Sequence, residues 1–119
     1  MAEGFKILSQ ATLAVAEATV YRVPPASGAS FGSRSMAQSV ISSIVVCCVS
    51  GGNLWYSIRV RKSGDADNNN QIIFFQKPIA HHETDVLSLG IGLVVGDSIE
   101  ASCSSGAVIH MNIFGTEST

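Results

Sequence analysis

The sequence is short of charge. Asp, Glu, Lys and Arg make up 13% of its 119 residues, about half of the roughly 25% that is usual in globular domains. The formal net charge is −2, so the chain lacks the basic patch that nucleic-acid-binding proteins carry, and no nucleic-acid partner is expected. A chain of this length forms a single domain with a sizeable core. The scarcity of charge therefore predicts either an unusually large core or a surface that partners cover.

Long apolar runs are also missing. Although 46% of the residues are hydrophobic, no run approaches the roughly 20 apolar residues of a membrane-spanning helix. The first six residues, MAEGFK, contain an early acid and are not followed by the apolar segment of a secretory signal. We therefore expect neither a membrane partner nor a signal for secretion.

Cysteine occurs in an odd number, three per chain, so the thiols cannot all pair within it. Cys47 and Cys48 are adjacent in a predicted strand and point to opposite faces, which places them poorly for a bond to each other. Cys103 alternates with Ile99 and Ala101, so we expect it to point inward. The CxxC or Cys/His spacing of a metal site is absent. The prediction is three reduced thiols, as in a protein assembled in a cytoplasm.

Catalytic signatures are missing as well. The sequence has one GxSxG pattern, GASFG at residues 28–32, but it lies in a predicted long loop and not in the strand-turn-helix context of a nucleophile elbow. It has no carboxylate pair in a recognisable acid/base context. The glycines of Gly90-Ile91-Gly92 are not followed by a predicted helix, as those of a phosphate-binding loop would be. We therefore expect no enzymatic activity and no cofactor.

Two polar segments have side chains that can ligate metals. Residues 65–70 offer Asp and Asn oxygens, but they lack the central glycine and distal glutamate of a calcium loop. His81, His82 and Glu83 could bind a transition metal, most interestingly on a symmetry axis with one histidine from each subunit. The simpler interpretation of both segments is a solvated turn.

The chain does contain a succession of short alternating segments, the strongest at residues 40–49 and 54–62. The first is apolar at nearly every position. In the second, two sets of side chains face opposite ways, Leu54, Tyr56, Ile58 and Val60 inward and Trp55, Ser57, Arg59 and Arg61 outward. A period of two is typical of strands. Because residues 50–53, SGGN, suit a tight turn, we expect the two segments to form a β-hairpin.

Turn signals divide the chain into seven to nine short strands without sustained helical periodicity, which predicts an all-β antiparallel β-sandwich or barrel. Residues 1–16 predict a strand or an extended N-terminal arm, and residues 17–119 the sandwich, within a single domain. Pro78 and the glycines near residue 90 are expected to interrupt strands. The expected core residues are Ile44, Val46, Ile58, Val60, Leu87, Leu89, Ile99, Ile109 and Met111. Ser98 and Glu100 alternate with them and are expected to point outward.

The last predicted strand, residues 107–114, is apolar on both faces. Its odd-numbered residues are assigned to the core, which leaves Val108, His110 and Phe114 pointing outward. Either the domain covers both faces, or this face meets a neighbour, since exposed apolar patches usually mark contacts. A long loop at residues 26–39 is a second expected contact element. The candidate interface residues are Trp55, Arg59, Arg61, Val108, His110, Phe114, Phe31 and Arg34.

The order of several short motifs resembles that in small structural proteins of tailed bacteriophages. These motifs are YRVP at residues 21–24, the long pair of strands at residues 44–60, GD at residues 96–97 and FGTE at residues 114–117. The resemblance extends over nearly the whole chain. It implies a jelly-roll-like sandwich and a capsid decoration, or cement, protein, and tail or baseplate components look similar at this level.

The resemblance implies a non-enzymatic virion protein, assembled in the host cytoplasm. It would bind the major capsid protein on the outer head surface, or a tail protein, and self-associate, with a homotrimer expected. Several weak contacts held together would then act by avidity. A rival of another class is a carbohydrate-binding module, which needs exposed aromatic residues on one face. Of the three candidates, Trp55, Tyr56 and Tyr21, alternation places both tyrosines inward.

Overall fold

The computed structural model describes residues 5–23, 38–49, 53–66, 68–106 and 108–118. Within these ranges the chain forms eight β-strands and one 3-10 turn, Asn69–Gln71. The strands are β1 Phe5–Thr12, β2 Ala18–Arg22, β3 Gln38–Cys48, β4 Leu54–Arg61, β5 Ile72–Ile79, β6 Thr84–Val94, β7 Ser98–Cys103 and β8 Ile109–Ser118. The all-β prediction is confirmed, and the described part of residues 1–16 contains a strand, β1.

The eight strands form two antiparallel sheets of four. Sheet A has the order β1-β8-β3-β6 and sheet B the order β2-β7-β4-β5. The pairs are nested like one long hairpin, since β1 pairs with β8, β2 with β7, β3 with β6 and β4 with β5. An eight-stranded antiparallel ribbon wound into two sheets in this way is a jelly roll. The predicted jelly-roll-like sandwich is therefore the observed fold.

The predicted hairpin of residues 40–49 and 54–62 is wrong in its pairing. Both segments are strands, but β3 pairs with β6 and β8, whereas β4 pairs with β5 and β7. Each is a central strand of its own sheet, so both of its edges are occupied by strands from elsewhere in the chain. The connection between them therefore passes from one sheet to the other, and residues 50–52 within it lie outside the described ranges.

Proline and glycine interrupt fewer strands than the sequence indicates. β5 continues through Pro78, which lies opposite Trp55, because β5 is an edge strand and a missing N–H can there face away from the ladder. β6 likewise continues through Gly90 and Gly92. Gly96, with a φ of +88°, does form a turn between β6 and β7, as predicted.

The core lies between the inner faces of the two sheets and contains the residues that alternation assigned to it. Six of the predicted set are at most 1% exposed, namely Ile44, Val46, Ile58, Ile99, Ile109 and Met111. The other three, Val60, Leu87 and Leu89, are half-buried and pack against these. Truncating a fully buried isoleucine to alanine costs about 2–5 kcal/mol, so these side chains contribute much of the stability.

Two tyrosines connect the sheets by hydrogen bonds. The hydroxyl of Tyr21, on β2, bonds to Ser39 on β3 and donates to the carboxylate of Glu117 on β8. On β4, Tyr56 donates to Asp85 of β6 at 2.8 Å. Burial, reinforced by the carboxylates, raises the pKa of both phenols above its ordinary value. Both side chains lie inside the sandwich, as alternation predicted.

A row of bulges bends sheet A. Relative to β8, strands β1 and β3 each contain one extra residue, at Leu8 and at Ser42. The backbones approach closely at this row, because a Cβ added to Gly115 would overlap the carbonyl oxygen of Val40. The glycine of the FGTE segment is therefore required by the packing of β8 against β3.

Candidate interaction surfaces

The outer face of sheet A carries no charged side chain in the part of the chain that the structure describes. Residues in register across the four strands form three rows. The rows are Thr12, His110, Cys47 and Thr84, then Gln10, Asn112, Val45 and Val86, then Ile7, Phe114, Ser43 and Ser88. These twelve residues are called the uncharged face below.

The four strands of sheet A contain three charged residues, Lys6, Asp85 and Glu117, and none lies on that face. Asp85 and Glu117 are bonded to the tyrosine hydroxyls that connect the sheets. Lys6 pairs with Glu117 at 3.0 Å. The charged side chains of sheet A thus form their bonds between the two sheets, and the outer side of sheet A is left without charge.

Large apolar side chains are exposed on this side of the molecule. On the uncharged face, 53% of Ile7 and 65% of Val86 are exposed. Val40 and Val94 are exposed on the same side of the sheet, beyond the row of bulges. Interface cores are depleted of charge and carry apolar groups of this kind, so the surface has the composition of a contact region.

Polar side chains on the uncharged face bond to one another. The amide nitrogen of Gln10 donates to the amide oxygen of Asn112 at 2.7 Å. The hydroxyl of Thr12 and Nδ1 of His110 are 3.0 Å apart and form a hydrogen bond between strands β1 and β8. These two bonds lower the cost of covering the face, because some of its polar groups already have partners within it.

Among the predicted interface residues, His110 and Phe114 lie on the uncharged face. Val108 does not, because it precedes β8 and packs, half-buried, against the core. The prediction that it points outward is wrong. Phe31 and Arg34 lie outside the described residues.

Trp55, Arg59 and Arg61 occupy the outer face of sheet B, on the opposite side of the sandwich from His110 and Phe114. They are half-buried rather than freely exposed. Arg61 pairs with Glu100 at 2.5 Å, and Arg59 lies 3.4 Å from the carboxylate of Glu17. The sequence thus predicted the outward direction of these arginines but not the ion pairs that hold them.

Glu100 is 5% exposed, although alternation predicted an outward, solvated carboxylate. It does lie on the outer side of β7, but neighbouring strands cover it. Besides Arg61, the hydroxyls of Ser98 and Thr19 donate to it at 3.4 and 3.5 Å. Ser98, expected to point into solvent, is buried beside it. Cross-strand neighbours on a central strand bury groups that the alternation pattern alone leaves in water.

A cleft of about 210 Å³ opens on the outer face of sheet B. Trp55 of β4 and Phe75 of β5 contribute apolar surface to it. Its polar lining includes the Glu17–Arg59 pair and the hydroxyls of Ser57 and Ser102. Phe75 is 68% exposed, more than any other large hydrophobic residue that the structure describes. The cleft therefore combines an aromatic wall with several hydrogen-bonding groups.

A bulge in β5 lies beside Phe75 at this cleft. The register leaves both Phe75 and Gln76 opposite Ser57, so β5 has one extra residue here. Gln76 has a φ of 48°, in the left-handed region that favours glycine. Its N–H donates to the Ser57 hydroxyl at 2.9 Å instead of to the ladder. Phe74 lies opposite Ile58 and packs against the core, so alternation places Phe75 on the outer side. Residues 71–76 were predicted to form a strand, but the bulge at Gln76 was not predicted.

The three cysteines lie within the described ranges and none forms a disulfide, which confirms that prediction. Cys48 and Cys103 are fully buried, while Cys47 is half-buried on the uncharged face. Burial raises the pKa of the Cys103 thiol, only partly offset by its hydrogen bond to the backbone of Ser105.

Neither polar segment gathers a set of metal ligands. Asp65, Asn68 and Asn70 are exposed, and Asp67 lies outside the described residues. The rings of His81 and His82 are stacked, with centroids 3.5 Å apart, on an exposed turn. Among the described residues, no three His, Cys, Asp or Glu side chains are grouped so that they could hold a metal ion.

Comparisons of the chain with protein-family models, with curated proteins and with solved structures found no match. Within the described ranges, no helix is long and apolar enough to cross a membrane.

Proposed function

We propose that the protein is a non-enzymatic structural component of a tailed-bacteriophage virion, a decoration protein that binds the outer head surface and stabilises the shell. The observation that carries the proposal is the uncharged face, a broad sheet surface with exposed Ile7 and Val86 and no charged group. The motif order supports the virion assignment, and the jelly roll is a fold that viral capsid proteins use.

Docking through this face is energetically reasonable. Covering it desolvates no formal charge, the most costly group to remove from water. Two pairs of its polar groups bond to each other, and its apolar side chains gain about 25 cal/mol for each Å² removed from water. On a capsid lattice the contact is repeated many times, so a modest interaction in each copy is sufficient. The major capsid protein is the proposed partner of this face on the head. In the free protein, where no capsid covers it, the same face is proposed to mediate self-association into a small homo-oligomer, a trimer in the first instance.

A binding experiment on phage heads tests this proposal. Heads lacking the protein are mixed with purified wild type, with Val86→Lys, which places a charge on the uncharged face, or with Ile73→Lys. Ile73 is also an exposed apolar residue, but it lies on β5 of sheet B. Wild type and Ile73→Lys should sediment with the heads, while Val86→Lys should bind at least tenfold more weakly.

Two results would contradict the proposal. Equal binding of both lysine variants would remove the uncharged face from the contact. A fluorescently labelled copy found on tails of purified virions and not on heads would support the tail or baseplate alternative.

A further inference from the structure

We propose that the cleft between Trp55 and Phe75 binds a neutral pyranose sugar. This site is separate from the capsid contact, because it lies on the outer face of sheet B and the uncharged face lies on sheet A. In a sandwich these two surfaces point in opposite directions. A molecule docked through the uncharged face therefore keeps the cleft open to solvent.

Backbone strain is the first observation that points to a ligand. A left-handed glutamine in a strand is strained and persists only where surrounding structure holds it. Here the Ser57 hydroxyl accepts the N–H of Gln76 and stabilises the bulge. Next to the bulge, the ring of Phe75 is 68% exposed at the cleft. Bulges are over-represented beside functional sites.

The chemistry of the lining selects the class of ligand. Trp55 and Phe75 offer aromatic surface, which suits the C–H face of a sugar ring. Ser57, Ser102 and Gln76 add hydrogen-bonding groups to the lining, as a polyhydroxylated ligand requires. The volume, about 210 Å³, is below the range of 300–1,000 Å³ that is typical for drug-sized molecules, and it suits one small ring.

The charges in the lining exclude ionic ligands. Glu17 and Arg59 lie 3.4 Å apart and neutralise each other. An acidic ligand would compete with Glu17 for the guanidinium, and a basic ligand would compete with Arg59 for the carboxylate. A neutral sugar brings no charge that competes for either member of the pair, and its hydroxyls can bond to the uncharged polar groups of the lining.

The chain contains one tryptophan, and it lines this cleft, so intrinsic fluorescence reports on the site directly. The full chain is titrated with methyl glucopyranoside, methyl galactopyranoside and N-acetylglucosamine. Glycerol serves as a control for nonspecific effects of hydroxyl groups, and glucuronate tests the exclusion of charge. We expect a saturable change with at least one of the three neutral sugars, with a dissociation constant in the millimolar range, and none with glycerol or glucuronate.

Two variants test whether the cleft is responsible. Phe75→Ala removes a 68% exposed ring, and Val86→Ala removes a 65% exposed side chain on the opposite face. Because both positions are exposed, both variants should fold, which circular dichroism checks. Phe75→Ala should weaken sugar binding at least tenfold, and Val86→Ala should leave it unchanged.

Absence of a saturable response to all three neutral sugars well above the millimolar range would overturn the sugar site. So would equal affinity in wild type and Phe75→Ala. Since the assay uses the isolated protein, neither result bears on binding to phage heads, and the two proposals fail independently.

Discussion

Tyr21 and Glu117 are far apart in the sequence and meet in the structure. Tyr21 belongs to the YRVP segment and Glu117 to the FGTE segment. The phenol donates to the carboxylate, Lys6 pairs with it from β1, and Ser39 completes the cluster. The segments that carry the sequence resemblance thus hold together the edge where β2 of sheet B meets β3 and β8 of sheet A.

This cluster makes stability depend on pH. Burial acts to raise the pKa of Glu117, but the hydrogen bond from Tyr21 and the charge of Lys6 outweigh it, and the pKa is lowered. The ionised carboxylate therefore stabilises the folded state above the unfolded-state pKa of about 4.3, and this contribution is lost as pH falls through the lower folded-state pKa.

We expect Glu117→Gln to lower the urea midpoint at pH 7 and to make the midpoint less sensitive to pH below about 5. The measurement is a series of urea unfolding curves at decreasing pH. Asp65→Asn, an exposed carboxyl group in a polar turn, is the matched control. Parallel pH profiles for wild type and Glu117→Gln would show that the cluster contributes nothing to acid stability.

At the scale of strands, the close approach of β8 and β3 gives a sharper prediction. Gly115→Ala should destabilise the protein by at least about 2 kcal/mol, because its Cβ would meet the backbone of Val40, which cannot move without disturbing the sheet. Gly90→Ala is the control, since a Cβ there meets nothing within 4 Å. It should change stability by no more than about 0.5 kcal/mol. Similar urea midpoints for the two variants would contradict the packing argument.

The sequence predicted strands and their inner faces better than it predicted their partners. Alternation is visible within a few residues, so Ile58 and Ile99 could be assigned to the core directly. Strand pairing depends on contacts between segments that are distant in the sequence. The glycine-rich connection after β3 looks the same in the sequence whether the chain turns back to form a hairpin or crosses to the other sheet. The burial of Glu100 could not be predicted from alternation either, because it is set by residues on the neighbouring strands β4 and β2.

The candidate sites were also predicted only in part, because they depend on contacts between segments that are distant in the sequence. His110 and Phe114 were identified from the apolar outer face of β8, a local pattern. The uncharged face as a whole depends on the register of four strands that are scattered along the chain. The cleft depends on a bulge at Gln76 whose stabilising partner, Ser57, lies on the next strand.

For the whole molecule, the low charge content is distributed unequally between the two outer surfaces. Sheet B carries charged side chains on its outer face, such as the ion pair of Arg61 with Glu100. Sheet A has none outside among the described residues, and it exposes valine and isoleucine instead. Because the outer face of sheet A is uncharged and exposes apolar side chains, whereas that of sheet B is charged, we expect self-association to depend on sheet A alone.

Light scattering at micromolar concentration tests this, with Phe114→Ser on the uncharged face and Trp55→Ala on the opposite face. We expect the wild type to be a homo-oligomer, Phe114→Ser to have a lower mass, and Trp55→Ala to keep the wild-type mass. The physical reason is that a hydroxyl in place of the phenyl ring removes apolar contact area from the proposed interface. A monomeric wild type would rule out self-association in the free protein. A lower mass only in Trp55→Ala would move the subunit contact to sheet B and place it over the proposed sugar cleft, so that oligomer formation and sugar binding would compete.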